Sequence, residues 1–165
     1  MATSDMTLLT RNDLDFIVDK TTGRIAWVVK ASDGTHATVE RGYTGARDIT
    51  GLLTGITAGT VTVARDGSTV TYRFDDVKCS AAQQVLAAAT PANMTAFYPE
   101  RGTLAVPMIR ANTLAEKVAI TSTGVLKLYN TSTTDGYSGV ISFTTNKAWP
   151  SALPGAADGT GVVYL

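Results

Sequence analysis

One cysteine, one histidine, three glutamates and two glutamines are spread over 165 residues, and each shortage removes a class of chemistry. Cys79 alone forbids an intrachain disulfide, a cysteine-rich zinc site and an iron–sulfur cluster. His36 is the only imidazole, so a Ser-His-Asp arrangement has one possible base, and no Gly-x-Ser-x-Gly elbow accompanies it. The surrounding polar alternation reads His36 as a surface residue, and Cys79 as a buried bystander rather than its thiol partner. No phosphate-cradling glycine motif occurs, so no nucleotide cofactor is expected.

Charge is also scarce. Fourteen Lys and Arg balance fourteen Asp and Glu, charged residues reach only 17%, and the net charge is zero. A nucleic-acid partner is not expected without a basic excess to meet the phosphates. No apolar run reaches the length of a membrane-spanning helix, and residue 1 onward lacks the basic-then-apolar layout of a signal peptide. The expectation is a chain made in the cytosol with no membrane partner.

Threonine fills the gap, with 27 positions against nine serines. A β-branched hydroxyl residue suits half-exposed strands, whereas the shortage of Glu and Gln deprives helices of favoured surface residues. Strand signals then recur in pairs around glycine turns. Strands at 16–18 and 24–29 flank Asp19-Lys20-Thr21-Thr22-Gly23, and Asp33-Gly34 precedes a polar strand at 35–40. Strands at 61–65 and 68–74 flank Asp66-Gly67, with Val70, Tyr72 and Phe74 on one face. Strands at 118–121 and 125–129 flank Ser122-Thr123-Gly124, and a last strand spans 137–144 after Asp135-Gly136. Residues 80–89 are Ala-rich with Ser80 at capping-box spacing from Gln83, which reads as a short helix or a loop. Residues 149–156 read as ordered irregular chain. This spacing predicts an all-β, antiparallel sandwich.

Gly42-Tyr43-Thr44-Gly45 is the expected boundary between an N-terminal β-hairpin module, residues 1–42, and a β-sandwich domain, residues 43–165. Some forty residues bury too little for a core of their own. The module must lean on the sandwich, on sister subunits or on a larger assembly.

Carboxylates give weak signals. Asp75 and Asp76 are adjacent and read as a strand ending in a turn rather than an acid–base pair. Asp13, Asp15 and Asp19 cluster, but the glycine and closing Glu of an EF-hand loop are missing, so no metal site is assigned. Tyr98, Tyr129, Tyr137 and Trp149 lie in or beside loops of the second half. They either offer rings on which a sugar stacks or cover the core. Tyr98, Tyr137 and Trp149 are the candidate glycan-binding residues.

Two stretches carry a resemblance. The first is Tyr43-Thr44-Gly45-Ala46-Arg47-Asp48-Ile49-Thr50-Gly51, leading to the hairpin Arg65-Asp66-Gly67-Ser68-Thr69-Val70. The second contains Gly139-Val140-Ile141-Ser142 and closes on Thr145-Asn146-Lys147-Ala148-Trp149-Pro150-Ser151-Ala152-Leu153-Pro154-Gly155. Together, over residues 43–159, they resemble the C-terminal head domain of minor tail and receptor-binding proteins of phages that infect actinobacteria, and related capsid decoration (head fibre) proteins. The closing phrase is the more specific of the two. The resemblance implies a jelly-roll-like sandwich, a homotrimer and a place on the virion surface. The family's Pro-x-Gly-Phe-Arg-Pro loop is replaced here by Pro91-Ala92-Asn93-Met94-Thr95-Ala96-Phe97-Tyr98-Pro99. The long tail-attachment region is also replaced, by about forty residues of hairpins and loops.

The expected function is therefore a non-enzymatic virion structural protein, slightly favoured as a trimeric capsid decoration or minor capsid protein. The alternative is a receptor-binding or minor tail protein contacting host cell-surface glycan. A polysaccharide-degrading enzyme has least support. Phe16, Ile17, Ile25, Trp27 and Val29 are the expected apolar anchors to a major capsid or tail protein, with polar and strand-edge contacts from residues 13–41.

Overall fold

The computed structural model describes residues 6–11, 14–19, 21–30, 36–87, 92–110 and 113–158. The front of the chain forms β1 (Met6–Arg11), β2 (Leu14–Asp19), β3 (Arg24–Lys30) and β4 (His36–Gly42), a four-stranded meander in chain order. The rest forms β5 (Arg47–Asp48), β6 (Ile56–Asp66), β7 (Thr69–Cys79), β8 (Val85–Ala87), β9 (Thr103–Arg110), β10 (Thr113–Thr121), β11 (Leu126–Leu128), β12 (Tyr137–Thr144) and β13 (Ala156–Ala157). These make one nine-stranded sheet in the order β13-β5-β6-β7-β12-β9-β10-β11-β8. Every pairing is antiparallel, so the all-β antiparallel fold class holds, with the sandwich formed by one sheet that curls over its own core. Hydrogen bonds change sheets at Gly42–Tyr43.

The curl is secured between distant members of the strand order. Thr54, just before β6, donates its amide to the Leu86 carbonyl of β8 at 2.6 Å and its hydroxyl to the same oxygen at 2.8 Å. That contact satisfies the open side of β8, which would otherwise present an unpaired edge. Between the two walls lie Val61, Val63, Val70, Tyr72, Phe74, Met108, Val118, Ile120, Leu128 and Ile141, none more than 1% exposed. Alternation in β6 and β7 puts the apolar members of each strand inside and the threonines outside.

One local expectation is corrected, and one left open between helix and loop is resolved. Asp75 and Asp76 do not end β7; both are exposed in a bulge where the register with β6 and β12 shifts. Asp76 takes φ +49°, a left-handed conformation that Asp tolerates. The extra residue changes the side-chain parity, so that Phe74 and then Val77 and Cys79 all face the core. Residues 80–87 form no helix either. Ser80 and Gln83 sit in bends and turns, Gln83 has φ +50°, and Val85–Ala87 pair with β11. The Gln83 and Gln84 amides are taken by the Asn130 carbonyl and the Asn130 side chain, at 2.9 and 3.1 Å, so tertiary partners outbid a weak local helical preference. Residues 88–89, at the end of the expected helix, lie outside the described residues. The irregular stretch from Trp149 is ordered, as expected, and a 3₁₀ turn at Ala92–Phe97 drives Met94, Ala96 and Phe97 into the core.

Candidate functional site

The front sheet arises from the predicted hairpin. Asp19 closes its turn by accepting from the Thr21 amide at 2.9 Å, the Thr22 amide at 3.3 Å and the Thr22 hydroxyl at 2.7 Å. Burial raises the Asp19 pKa, but these bonds and the nearby Arg24 charge outweigh it and hold the carboxyl below its usual value. The resulting register sets Phe16 opposite Trp27, Leu14 opposite Val29 and Val18 opposite Ile25. Leu9 pairs with Phe16, and Val39 with Trp27. Positions two apart on a strand share a face, so Phe16, Ile25, Trp27 and Val29 belong to one face of the sheet. Ile17, opposite Ala26, belongs to the other. Asp13 and the Asp33-Gly34 turn lie outside the described residues, and no cluster of metal-ligating side chains occurs among the described ones.

The two sheets meet at a joint that the closing phrase builds. The Trp149 indole Nε1 donates to the Thr22 carbonyl at 3.3 Å, and the Tyr43 amide donates to Gly23 at 3.1 Å. Arg65 lies over the Trp149 ring, its guanidinium carbon 4.9 Å from the centroid. It continues the inward row of Val61 and Val63 and is 5% exposed. Its Nε donates to Gly67, its Nη1 to the carbonyls of Ala96 and Ala148, and its Nη2 to Lys147, at 2.8–3.0 Å. Arg47 holds the next part of the phrase through the carbonyls of Pro154 and Gly155, at 3.0 and 2.8 Å. The planar five-donor guanidinium suits a loop whose carbonyls converge without strand partners. Sequence reading missed Arg65, although a charge on the inward parity of an apolar strand is a detectable signal.

The three candidate glycan-binding rings are buried. Trp149 is 8% exposed, Tyr98 5% and Tyr137 0%, so none presents an open face for a sugar in the monomer. The Tyr137 hydroxyl accepts from the Ser132 amide at 2.9 Å and the Thr131 amide at 3.3 Å, which folds the 131–136 turn over the core. The Tyr98 hydroxyl has no hydrogen-bond partner among the described residues, and burial pushes its pKa up to about 12. Tyr137 opens β12 while Tyr98 and Trp149 lie in irregular chain, so a residue near a turn in sequence can still point inward.

Tyr129, the fourth ring, is half-buried on the outer face. Lys117 Nζ and Lys127 Nζ each stand 4.6 Å from its centroid. Beside it runs a shallow cavity of about 440 Å³ lined by Ala105, Val106, Pro107, Glu116, Lys117 and Tyr129. A second outer depression, lined by Thr60, Thr62, Arg73, Asp75 and Asp158, follows the threonine-rich side of β6 and β7. The lone thiol of Cys79 is inside, 1% exposed, with burial raising its pKa to about 11. His36 begins β4 opposite Lys30. Neither a scan against protein-family models nor a search of curated proteins finds a match to this chain.

Proposed function

We propose that the chain is a non-enzymatic structural protein of a tailed-phage virion surface, a capsid decoration subunit in which the front sheet attaches and the sandwich faces outward. The observation that carries the reading is the register of the front sheet, which gathers Leu9, Leu14, Phe16, Val18, Ile25, Trp27, Val29 and Val39 on one face. The same register puts Thr7, Arg11, Ala37 and Arg41 on that face, so it combines an apolar centre with two arginines, a composition suited to a partner surface such as a capsid lattice supplies in many copies. The sandwich has its own closed core and reaches the front sheet through the Trp149–Arg65 joint, an arrangement suited to a knob on a short mount. The trimer rests on the resemblance of residues 43–159 to phage head domains. A closed ring of three would join two different patches of each subunit.

Counting copies per particle by quantitative gel tests the placement. Hundreds of copies, and particles less resistant to heat when the gene is deleted, are expected of a decoration protein. A handful of copies would move the chain to the tail as a receptor-binding protein. Absence from purified virions would overturn both. Trp27→Asp should release the protein from particles while leaving the sandwich folded.

A further inference from the structure

We propose that the cavity on the outer face of β9, β10 and β11 binds an acidic carbohydrate, its acid group held between Lys117 and Lys127. The strand register builds the site in two cross-strand rows. Pro107 pairs with Lys117, whose carbonyl accepts the Tyr129 amide at 2.8 Å; Ala105 pairs with Ala119, and Ala119 with Lys127. Three neighbouring strands thus contribute Ala105 and Pro107 from β9, Lys117 and Ala119 from β10, and Lys127 from β11 with Tyr129 just beyond its end.

Both ammonium groups converge on one ring, so they stand within twice 4.6 Å of each other. Two like charges at that spacing repel, and an anion between them relieves the repulsion. The tyrosine ring holds both by cation–π attraction, which limits the rotamer freedom a ligand would otherwise have to remove. The one carboxylate lining the cavity is engaged elsewhere. Glu116 Oε1 accepts from the Thr131 hydroxyl at 2.6 Å and lies 3.9 Å from Arg110 Nη1. Lys117, which lines the cavity, and Lys127, 4.6 Å from the ring of the lining Tyr129, therefore supply the positive charge beside it.

Ala105 and Pro107, exposed on the outer face, give an apolar floor that suits the C–H face of a sugar or polyol. The volume of about 440 Å³ falls among ligand-sized cavities. The chain's net charge is zero, so attraction for an acidic polymer must come from a local patch. A carboxylate on a uronic sugar and a phosphate on a polyol chain share this chemistry. The site is separate from the front sheet and does not depend on where on a virion the protein sits.

The test uses the purified full chain and isothermal titration at low salt. The probes are a galacturonate oligomer, a glycerol-phosphate oligomer, a neutral maltooligosaccharide and a single-stranded oligothymidylate. One or both acidic carbohydrate probes should bind, and whichever binds tighter identifies the acid. Lys117→Ala and Lys127→Ala should each weaken binding roughly tenfold, the loss expected for one charge-assisted hydrogen bond. Arg73→Ala removes the same charge from the other outer depression and should leave affinity unchanged. Binding should also shift the Tyr129 ring resonances. Equal weakening by Arg73→Ala, tighter binding of oligothymidylate than of either acidic carbohydrate, or failure of both acidic probes to bind would overturn the proposal.

Discussion

Trp149 and Thr22 are 127 residues apart in the chain, yet the indole Nε1 of one donates to the carbonyl of the other at 3.3 Å. Arg65 lies over the same ring and fixes its loop through the carbonyl oxygens of Lys147 and Ala148, the two residues before it. The indole is therefore the side chain that couples the front sheet to the sandwich, beside the backbone bonds from Tyr43 to Gly23 and from Gly67 to Gly42. Trp149→Phe should keep much of the packing and lose the hydrogen bond, costing about 1 kcal/mol. Hydrogen exchange should quicken across β2 and β3 more than across β6 and β7. Uniform quickening would show that the indole supports the whole fold instead of the joint.

Arg65 should tolerate neither a neutral nor a cationic replacement. Arg65→Met leaves the carbonyls of Ala96, Lys147 and Ala148 without their donor and should cost about 2–4 kcal/mol. Arg65→Lys should recover only part, because an ammonium cannot spread over several acceptors and also stack on indole. Urea midpoints at unchanged slope measure both.

Gly23 and Gly45 form a matched pair, with φ of +67° and +68°. A Cβ on Gly23 would collide with the Tyr43 carbonyl at the joint, whereas one on Gly45 meets nothing within 4 Å. Gly45→Ala should cost about 1 kcal/mol from backbone conformation alone. Gly23→Ala should cost clearly more, and thermal denaturation of the two variants isolates the difference. Equal losses would mean that the turn yields at no cost to the joint.

The Asp19 turn should weaken in acid. Its carboxyl titrates below the ordinary 3.8 in the folded chain, so its stabilisation is complete above that value and is lost as pH falls through the folded pKa. Exchange of the Thr21 and Thr22 amides, followed as pH is lowered from 5 to 2, should show loss of the bonds to Asp19 at the acid end. Asp19→Asn should flatten that dependence.

Cys79 should resist thiol reagents in the native protein near pH 8, because its side chain is in the core and its pKa is raised to about 11. Labelling should follow global unfolding in denaturant. Fast native labelling would mean that the end of β7 opens locally.

The glycine turns show how much of the fold could be read in one dimension. Gly23, Gly67 and Gly124 each take positive φ between paired strands, and alternation at residues 61–65 and 70–74 marks the buried face correctly. Those features are local, because they depend on which residue adopts a left-handed turn and on the two-residue repeat of a strand. The misreadings all required a distant partner. Residues 80–87 read as a short helix or a loop until Asn130 and β11 take their backbone, and the Asp75–Asp76 pair looks like a strand end until the bulge is seen to restore Val77 to the core.

The same division separates the two kinds of site. Sequence named the apolar residues of the front hairpins, and pairing then placed Phe16, Ile25, Trp27 and Val29 on one face and Ile17 on the other. It could not show that Tyr98, Tyr137 and Trp149 turn inward, since nothing local tells a residue in a loop or at the first position of a strand which way to face. Nor could it bring Lys117 and Lys127 to Tyr129, a meeting made by three adjacent strands. By itself the scarcity of cysteine, histidine and charge, with the abundance of threonine, determined an all-β fold without disulfides. Only the curl of the sheet decided which polar groups converge, because convergence depends on strand order and register, and both are set by contacts between residues far apart in the chain.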